Sequence, residues 1–236
     1  MDTGLMAGGE NELHSVRGTQ FPQQPVVVRL IAKIISYIFH PVFVPLYVVW
    51  FMVYQHPYLF TGFSDLQKTR TLMMAVVSFT FFPLVTVFLL KGLKFIETIY
   101  LHTQKDRVIP FLACMIWYFW IWYVWNNFGQ TRDVVDMPHE AVQFALATFI
   151  STIIGLMVNI KIKVSLHAIS MGIMIALMIL LAFKQDLNFG IYLSIALFIA
   201  GLVCTARFIV SDHTAQEVYG GLAVGILSMA IAALFG

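Results

Sequence analysis

Residues 189–235 read FGIYLSIALFIAGLVCTARFIVSDHTAQEVYGGLAVGILSMAIAALF, in which two apolar runs flank a polar stretch. Each run is close to the roughly 20 apolar residues that a helix needs to cross a bilayer. The polar stretch, residues 205–221, contains Arg207, His213 and Glu217. Ionisable side chains beside membrane spans are costly and usually functional. This part of the chain therefore predicts two membrane helices joined by a functional segment.

The composition extends this prediction to the rest of the chain. Of its 236 residues, 60% are hydrophobic and 11% are charged, which is more apolar surface than one soluble core of this size could bury. The net charge of +2 and the dispersed Lys and Arg residues argue against nucleic acid as a partner. Residues 1–25 are polar and predict a disordered tail, which leaves residues 26–236 as one membrane domain.

Seven stretches are apolar enough to be membrane spans, and the predicted fold class is an all-α, polytopic transmembrane helical bundle with six or seven spans. Pro41 and Pro45 should kink the first stretch, and Arg29 and Lys33 leave open whether it begins as a helix on the membrane surface. The predicted spans are Val26–Tyr54, Thr71–Leu90, Phe111–Asn126, Ala141–Ile160, Leu166–Phe183, Phe189–Ile209 and Val218–Phe235. Gly221 and Gly225, four residues apart, predict that the last helix approaches a neighbour closely.

Counting these spans places three charged clusters on one face of the membrane. KDRVIP, residues 105–110, belongs to a connector after the second span, and KVSLH, residues 163–167, follows the fourth. The polar stretch at residues 205–221 follows the sixth. An even number of spans separates each pair of clusters, so all three should emerge on the same face, together with the N-terminus.

These clusters contain the groups needed for phosphoryl transfer. If the last helix begins near Asp212, His213 and Glu217 lie on one face of it, and the carboxylate can hold one imidazole nitrogen while the other acts as a base or nucleophile. His167 is a second imidazole that could transfer a proton. The cations that could neutralise phosphoryl oxygens are Lys105, Arg107, Lys163 and Arg207. There is no carboxylate cluster for metal ions, so we expect metal-independent chemistry without a cofactor.

The same clusters carry a resemblance to a known family. R-x5-H-x3-E, from Arg207 through His213 to Glu217, resembles the third motif of the type 2 phosphatidic acid phosphatase (PAP2) family, SR-x5-H-x3-D. KVSLH resembles the second motif of that family, P-S-G-H, and KDRVIP is similar in type to the first, K-x6-RP. The resemblance covers these three short stretches and implies a helical membrane phosphatase that forms a phosphohistidine intermediate.

The resemblance also implies a role for each matched residue. His213 would be the nucleophile, Glu217 its orienting carboxylate and His167 the acid that protonates the leaving group. Arg207 and Ser165 would contact the phosphate, and either Lys105 or Arg107 would supply the cation of the first motif.

The chain departs from the family pattern at several positions. Val164 and Leu166 replace the proline and glycine of the second motif, so its backbone should cradle phosphate less closely. Glu217 is longer than the usual aspartate. Asp212 precedes the expected nucleophile, and we expect it to point away from the site because a carboxylate there would repel phosphate.

The sequence thus predicts an integral membrane hydrolase for a lipid phosphate or polyprenyl diphosphate, located in a bacterial inner membrane and in contact with membrane lipids. Ten Lys and Arg residues lie on the cluster face against four on the other, but four of the ten are candidate site residues, so sidedness and oligomeric state stay open. One alternative is a transporter or channel with an anion or proton site. Another is a PAP2-like protein that binds lipid phosphate with little or no turnover. His40 is predicted to be a packing or interface residue.

Overall fold

The computed structural model describes residues 24–96, 104–127, 136–184, 189–210 and 213–235, apart from the side chain of residue 105. All secondary structure in these ranges is helical. We number the helices α1 (Val26–Ile38), α2 (Val44–Gln55), α3 (Asp65–Gly92), α4 (Gln104–Asn126), α5 (His139–Asn159), α6 (Leu166–Lys184), α7 (Gly190–Val210) and α8 (Ala215–Phe235). The predicted disordered tail lies almost wholly outside the described residues.

Six of these helices, α3 to α8, are long and apolar enough to cross a membrane. Their lengths of 19 to 28 residues match the thickness of a bilayer core at a rise of about 1.5 Å per residue. The predicted fold class, an all-α polytopic transmembrane bundle with six or seven spans, is therefore confirmed. The chain is an integral membrane protein.

The first predicted span, Val26–Tyr54, is wrong as a single kinked helix. It consists of α1 and α2, separated by a turn at residues 39–43. Proline disfavours helical geometry in the residue before it, so His40 and Pro41 end α1 instead of kinking it. The 13 residues of α1 extend only about 20 Å and α2 is shorter still, so neither spans a bilayer.

Two predicted boundaries also move. Helix α3 begins at Asp65, six residues before the predicted Thr71, because Ser64 and Gln67 form reciprocal capping hydrogen bonds there. Helix α4 begins at Gln104, so the KDRVIP stretch forms the first turns of a helix and is not a connector. Pro110, the seventh residue of α4, lies inside the helix, where it has no N–H to donate to the carbonyl of Asp106.

Glycines allow α6 and α8 to pack closely, as the spacing of Gly221 and Gly225 predicted. A Cβ added at Gly221 would lie 2.6 Å from the Ser165 carbonyl oxygen. Gly225 faces Gly172 across the same interface, where a Cβ on either residue would collide with the backbone of the other helix. The beginning of α8 is thereby held against the beginning of α6.

The helices have two distinguishable ends. At the end we call the site end, Gln104 at the start of α4 and Asn159 at the close of α5 exchange hydrogen bonds of 2.9 and 3.0 Å. At the opposite end, Lys184 closes α6 and forms a 3.3 Å ion pair with Glu140 at the start of α5. The site end therefore carries the starts of α4, α6 and α8 and the ends of α5 and α7.

Candidate active site

The three motif stretches meet at the site end. Arg107 of α4 is buried and donates from Nη1 to the Val164 carbonyl oxygen over 2.6 Å. The backbone N–H of Ser165 donates to the Glu217 carbonyl oxygen over 2.9 Å. Segments about 50 residues apart in the chain are thus joined by direct hydrogen bonds. The three clusters therefore lie together at one end of the bundle, the arrangement that the span count predicted.

His213 and Glu217 form a buried pair in which His213 Nδ1 donates to Glu217 Oε2 over 2.8 Å. The prediction that both residues lie on one face of the last helix is wrong in its geometry, because α8 begins at Ala215 and His213 precedes it. The Glu217 side chain instead reaches back over the first turn. The contact is therefore a cap interaction of the helix start, not a pairing along a helix face.

Thr214 fixes Glu217 through a capping box, in which two residues satisfy each other's backbone N–H groups. The Thr214 backbone N–H donates to Glu217 Oε2 over 3.1 Å, and the Glu217 backbone N–H donates to Thr214 Oγ1 over 3.3 Å. Glu217 Oε2 therefore accepts two hydrogen bonds, one from the Thr214 backbone N–H and one from the His213 imidazole. The orientation of the His213 ring is coupled to the start of α8.

The environment of His213 favours its neutral form. Burial lowers the pKa of His213 below its usual range, and the positive charges of Arg207 and Arg107 act in the same direction, against the opposing effect of Glu217. With Nδ1 donating to Glu217, the neutral ring has its lone pair on Nε2. That is the tautomer that a nucleophilic or basic histidine requires.

Two guanidinium groups give the site a cationic character. Arg107 and Arg207 are close enough for their charges to interact, and Arg107 also interacts electrostatically with Glu217. A guanidinium has five N–H donors, so Arg107 can hold the Val164 carbonyl and still face an anion. The surroundings therefore favour binding of a polyanion such as phosphate.

Ser165 has the burial and the chemistry of a phosphate contact. It is fully buried, and its Oγ has no hydrogen-bond partner among the described residues. Its hydroxyl can therefore donate to a phosphoryl oxygen. Its backbone N–H is already bound to the Glu217 carbonyl, so the hydroxyl is the group of Ser165 that is left to contact phosphate.

His167 lies in the first turn of α6, and its Nε2 is 3.1 Å from the Ser36 carbonyl oxygen. It interacts electrostatically with Arg207 and His213. The two predicted histidines therefore belong to one cluster, although they are held by different partners. An acid and a nucleophile need different surroundings, and the different partners of His167 and His213 provide them.

The remaining predicted residues differ in how far the structure describes them. Lys163 is half-buried at the site end. The side chain of Lys105 and the whole of Asp212 lie outside the described residues, so their predicted roles and the predicted orientation of Asp212 stay predictions. Within the described ranges, no group of three His, Cys, Asp or Glu side chains is arranged to hold a metal ion.

Sequence reasoning missed His40, which is part of this cluster and not simply a packing residue. Its ring meets the His167 ring edge to face, with centroids 5.4 Å apart. Burial, with help from the charge of Arg207, lowers the pKa of His40 to about 4. The sequence feature that could have indicated this role is the position of His40 directly before Pro41. A helix must end there and leave backbone carbonyls without helical partners.

In comparison with known proteins, no protein-family model, no curated protein and no solved structure matches the chain. The assignment of chemistry therefore depends on the residues themselves and on their arrangement at the site end.

Proposed function

We propose that this protein is an integral membrane phosphatase that hydrolyses a lipid phosphate or polyprenyl diphosphate through a phosphohistidine intermediate, without a metal ion. The observation that carries the proposal is the meeting of three short motifs, far apart in sequence, around the His213–Glu217 pair. We further propose a bacterial inner membrane as its location.

In the first step, His213 Nε2 attacks the phosphorus atom in line with the leaving oxygen. The N–P bond forms as the P–O bond to the leaving group breaks, and protonated His167 gives its proton to the departing alkoxide or phosphate. Glu217 stabilises the positive charge that develops on the His213 ring. Arg107, Arg207 and Ser165 neutralise or bind the equatorial oxygens.

In the second step, neutral His167 takes a proton from a water molecule as that water attacks phosphorus. The N–P bond breaks, inorganic phosphate leaves, and His213 returns to its neutral tautomer with the proton still on Nδ1. The two steps restore every proton to its original position. His167 thus acts first as an acid and then as a base.

A lipid substrate is favoured because the cluster lies at the ends of membrane helices. His213 lies two residues before α8 begins, and Arg207 is in the last turn of α7. A phosphate bound there would be at the level of lipid headgroups while its chain remained in the apolar layer. A transporter would instead be expected to hold its site near the bilayer midplane.

The test is phosphate release by the purified protein in detergent, with EDTA present, from phosphatidate and from a polyprenyl diphosphate. We expect release from at least one of them, and a loss of at least about 10³-fold in kcat for His213→Ala because the nucleophile is removed. His139→Ala is the matched control, since His139 is exposed at the opposite end of the bundle.

Unchanged release by His213→Ala would overturn the mechanism. Binding of phosphatidate without release by the wild-type protein would instead favour a lipid-phosphate-binding protein without turnover. Trapping a phosphorylated histidine in a rapid quench, and locating it at His213 by mass spectrometry, would identify the intermediate directly.

A further inference from the structure

The end of α1 and the turn after it contact the predicted acid, although they lie outside all three motifs. The Ser36 carbonyl oxygen is 3.1 Å from His167 Nε2, and Ser36 is buried. The His40 ring packs against the His167 ring at an interplanar angle of 81°. His167 is therefore held from two sides by a segment of five residues.

The sequence explains why a carbonyl is offered at this point. The last four carbonyls of a helix lack intrahelical N–H partners, and Ser36 is in the last turn of α1. Pro41 prevents the helix from continuing, because it disfavours helical geometry at His40. The Ser36 carbonyl oxygen therefore accepts a hydrogen bond from His167, in place of the backbone N–H that a further helical turn would have supplied.

Hydrogen bonds from α2 and α3 fix the turn at residues 39–43. The Tyr47 hydroxyl of α2 donates to the Ile38 carbonyl oxygen over 3.0 Å. Thr80 Oγ1, in the π-helical turn of α3, donates to the Val42 carbonyl oxygen over 3.0 Å. The position of the Ser36 carbonyl and of the His40 ring is consequently set by the fold, as a preorganised site requires.

This contact determines which nitrogen of His167 can transfer a proton. A carbonyl oxygen only accepts hydrogen bonds, so Nε2 must carry a proton in both the neutral and the charged ring. The proton that is given up and taken back is then on Nδ1. The Ser36 carbonyl therefore selects one tautomer of His167, as Glu217 selects one tautomer of His213.

We propose that residues 36–40 form the positioning element of the general acid: the Ser36 carbonyl keeps the Nε2 proton on His167, and the His40 ring holds the plane of the imidazole. This inference rests on the proposed phosphatase function. His40 is a positioning residue in this account, since it acts through His167 and not on the phosphate.

The first test exploits the dependence of acid catalysis on the leaving group. An alkoxide leaving group, as in phosphatidate, needs the proton from His167, whereas the nitrophenolate of p-nitrophenyl phosphate departs without one. We expect His40→Ala to lower kcat/KM for phosphatidate about tenfold, because kcat/KM reports the first step and a misoriented acid loses part of a contribution of roughly 10²- to 10⁴-fold. The kcat/KM for p-nitrophenyl phosphate should change less than about twofold, because its first step needs no acid, and the second step, in which His167 is the base for either substrate, does not enter kcat/KM.

Two further variants separate positioning from folding. His40→Phe retains an aromatic ring and should recover most of the rate on phosphatidate. His56→Phe is the matched control, because both histidines accept backbone N–H groups at Nδ1: the half-buried His40 accepts from Val42, and the buried His56 accepts from Tyr58 and Leu59. It lies at the other end of α2, so any loss of stability there should affect both substrates equally.

Equal losses of kcat/KM on both substrates in His40→Ala, or no loss on either, would overturn the proposal. So would a His40→Phe variant that stays as defective as His40→Ala on phosphatidate. If the wild-type protein released no phosphate, the proposed function would fail, and the positioning element would be tested by a second measurement.

That measurement is ¹⁵N NMR of histidine-labelled protein in detergent, with His167 assigned by substitution. We expect the neutral His167 ring to carry its proton on Nε2 in the wild-type protein, and to become a mixture of tautomers in His40→Ala. A wild-type His167 with its proton on Nδ1 would overturn the proposal whatever the activity.

Discussion

At the scale of single residues, Glu217 combines two roles that usually fall to different side chains. One of its carboxylate oxygens caps α8 through Thr214 and also accepts from His213. An ordinary helix cap and a catalytic orienting group would each explain part of this geometry. The two roles make different demands, since the cap requires an acceptor oxygen and the orienting role requires a negative charge.

Glu217→Gln should therefore separate the two roles. The amide oxygen can still accept from Thr214 and His213, so we expect the melting temperature to change by only a few degrees. The negative charge that stabilises a charged His213 ring is lost, so kcat should fall by about 10²-fold or more. Thermal unfolding and phosphate release, measured on the same preparation, give both quantities.

Thr214→Ala is the matched control for Glu217→Gln. It removes the Oγ1 acceptor of the cap and should cost about 1 kcal/mol of stability. The Glu217 charge beside His213 remains, so most of the activity should persist. If Glu217→Gln lost stability like Thr214→Ala and kept its activity, the carboxylate would be only a cap.

Individual site residues were predicted where ionisable groups stand out against an apolar chain. Arg207, His213 and Glu217 belong to this class, and the structure brings them into one cluster with Arg107, Ser165 and His167. The Ser36 carbonyl could not be predicted, because every residue carries a carbonyl group. Its role arises only from the helix end that Pro41 imposes and from the packing of α1 near α6.

At the scale of helices, the contact between α6 and α8 sets the geometry of the site. Gly172, Gly221 and Gly225 remove the side chains that would otherwise keep these helices apart. Ser165 and Glu217 lie at the beginnings of the two helices and are joined by a backbone hydrogen bond of 2.9 Å. The close packing of α6 and α8 consequently also aligns the second motif with the third.

Two adjacent glycines offer a matched test of this contact. An added Cβ at Gly221 would lie 2.6 Å from the Ser165 carbonyl oxygen, whereas one at Gly220 meets nothing within 4 Å. Gly221→Ala should therefore destabilise the protein by about 1–3 kcal/mol through overpacking, and lower its activity. Gly220→Ala should be neutral or stabilising, because alanine favours a helix by about 1 kcal/mol over glycine. Similar melting temperatures for the two variants would contradict this account.

Helices were predictable as apolar runs, whereas several of their boundaries were not. The start of α3 depends on the capping interaction of Ser64 with Gln67, within a polar stretch that hydropathy assigns to a loop. The start of α4 includes charged residues that belong to a helix because Arg107 and Gln104 bind backbone carbonyls of another segment. The split between α1 and α2 follows from Pro41, which the sequence displayed but which we interpreted as a kink.

At the scale of the whole molecule, the shared face of the motifs follows from the number of helices between them. Helices α4 and α5 separate Arg107 from Ser165, and α6 and α7 separate His167 from His213. The error in the first span leaves this count unchanged, because that span precedes all three motifs. This is why the meeting of the three motifs at one end of the bundle could be predicted from the sequence, although the first of the seven candidate stretches is not a membrane-length helix.

Labelling from the two sides of a membrane tests this topology. Lys161 is exposed at the site end, just after α5, and Asp65 is exposed at the opposite end, where α3 begins. In sealed vesicles of uniform orientation, single cysteines at these positions, in a background with Cys114 and Cys204 replaced by serine, should react with a membrane-impermeant maleimide from opposite sides. The reason is that three membrane-length helices, α3, α4 and α5, lie between them. Labelling of both from the same side would mean that one of the three does not cross the membrane, and the shared face of the motifs would then have to be reconsidered. The side from which Lys161→Cys is labelled would also assign the face on which the proposed phosphatase acts.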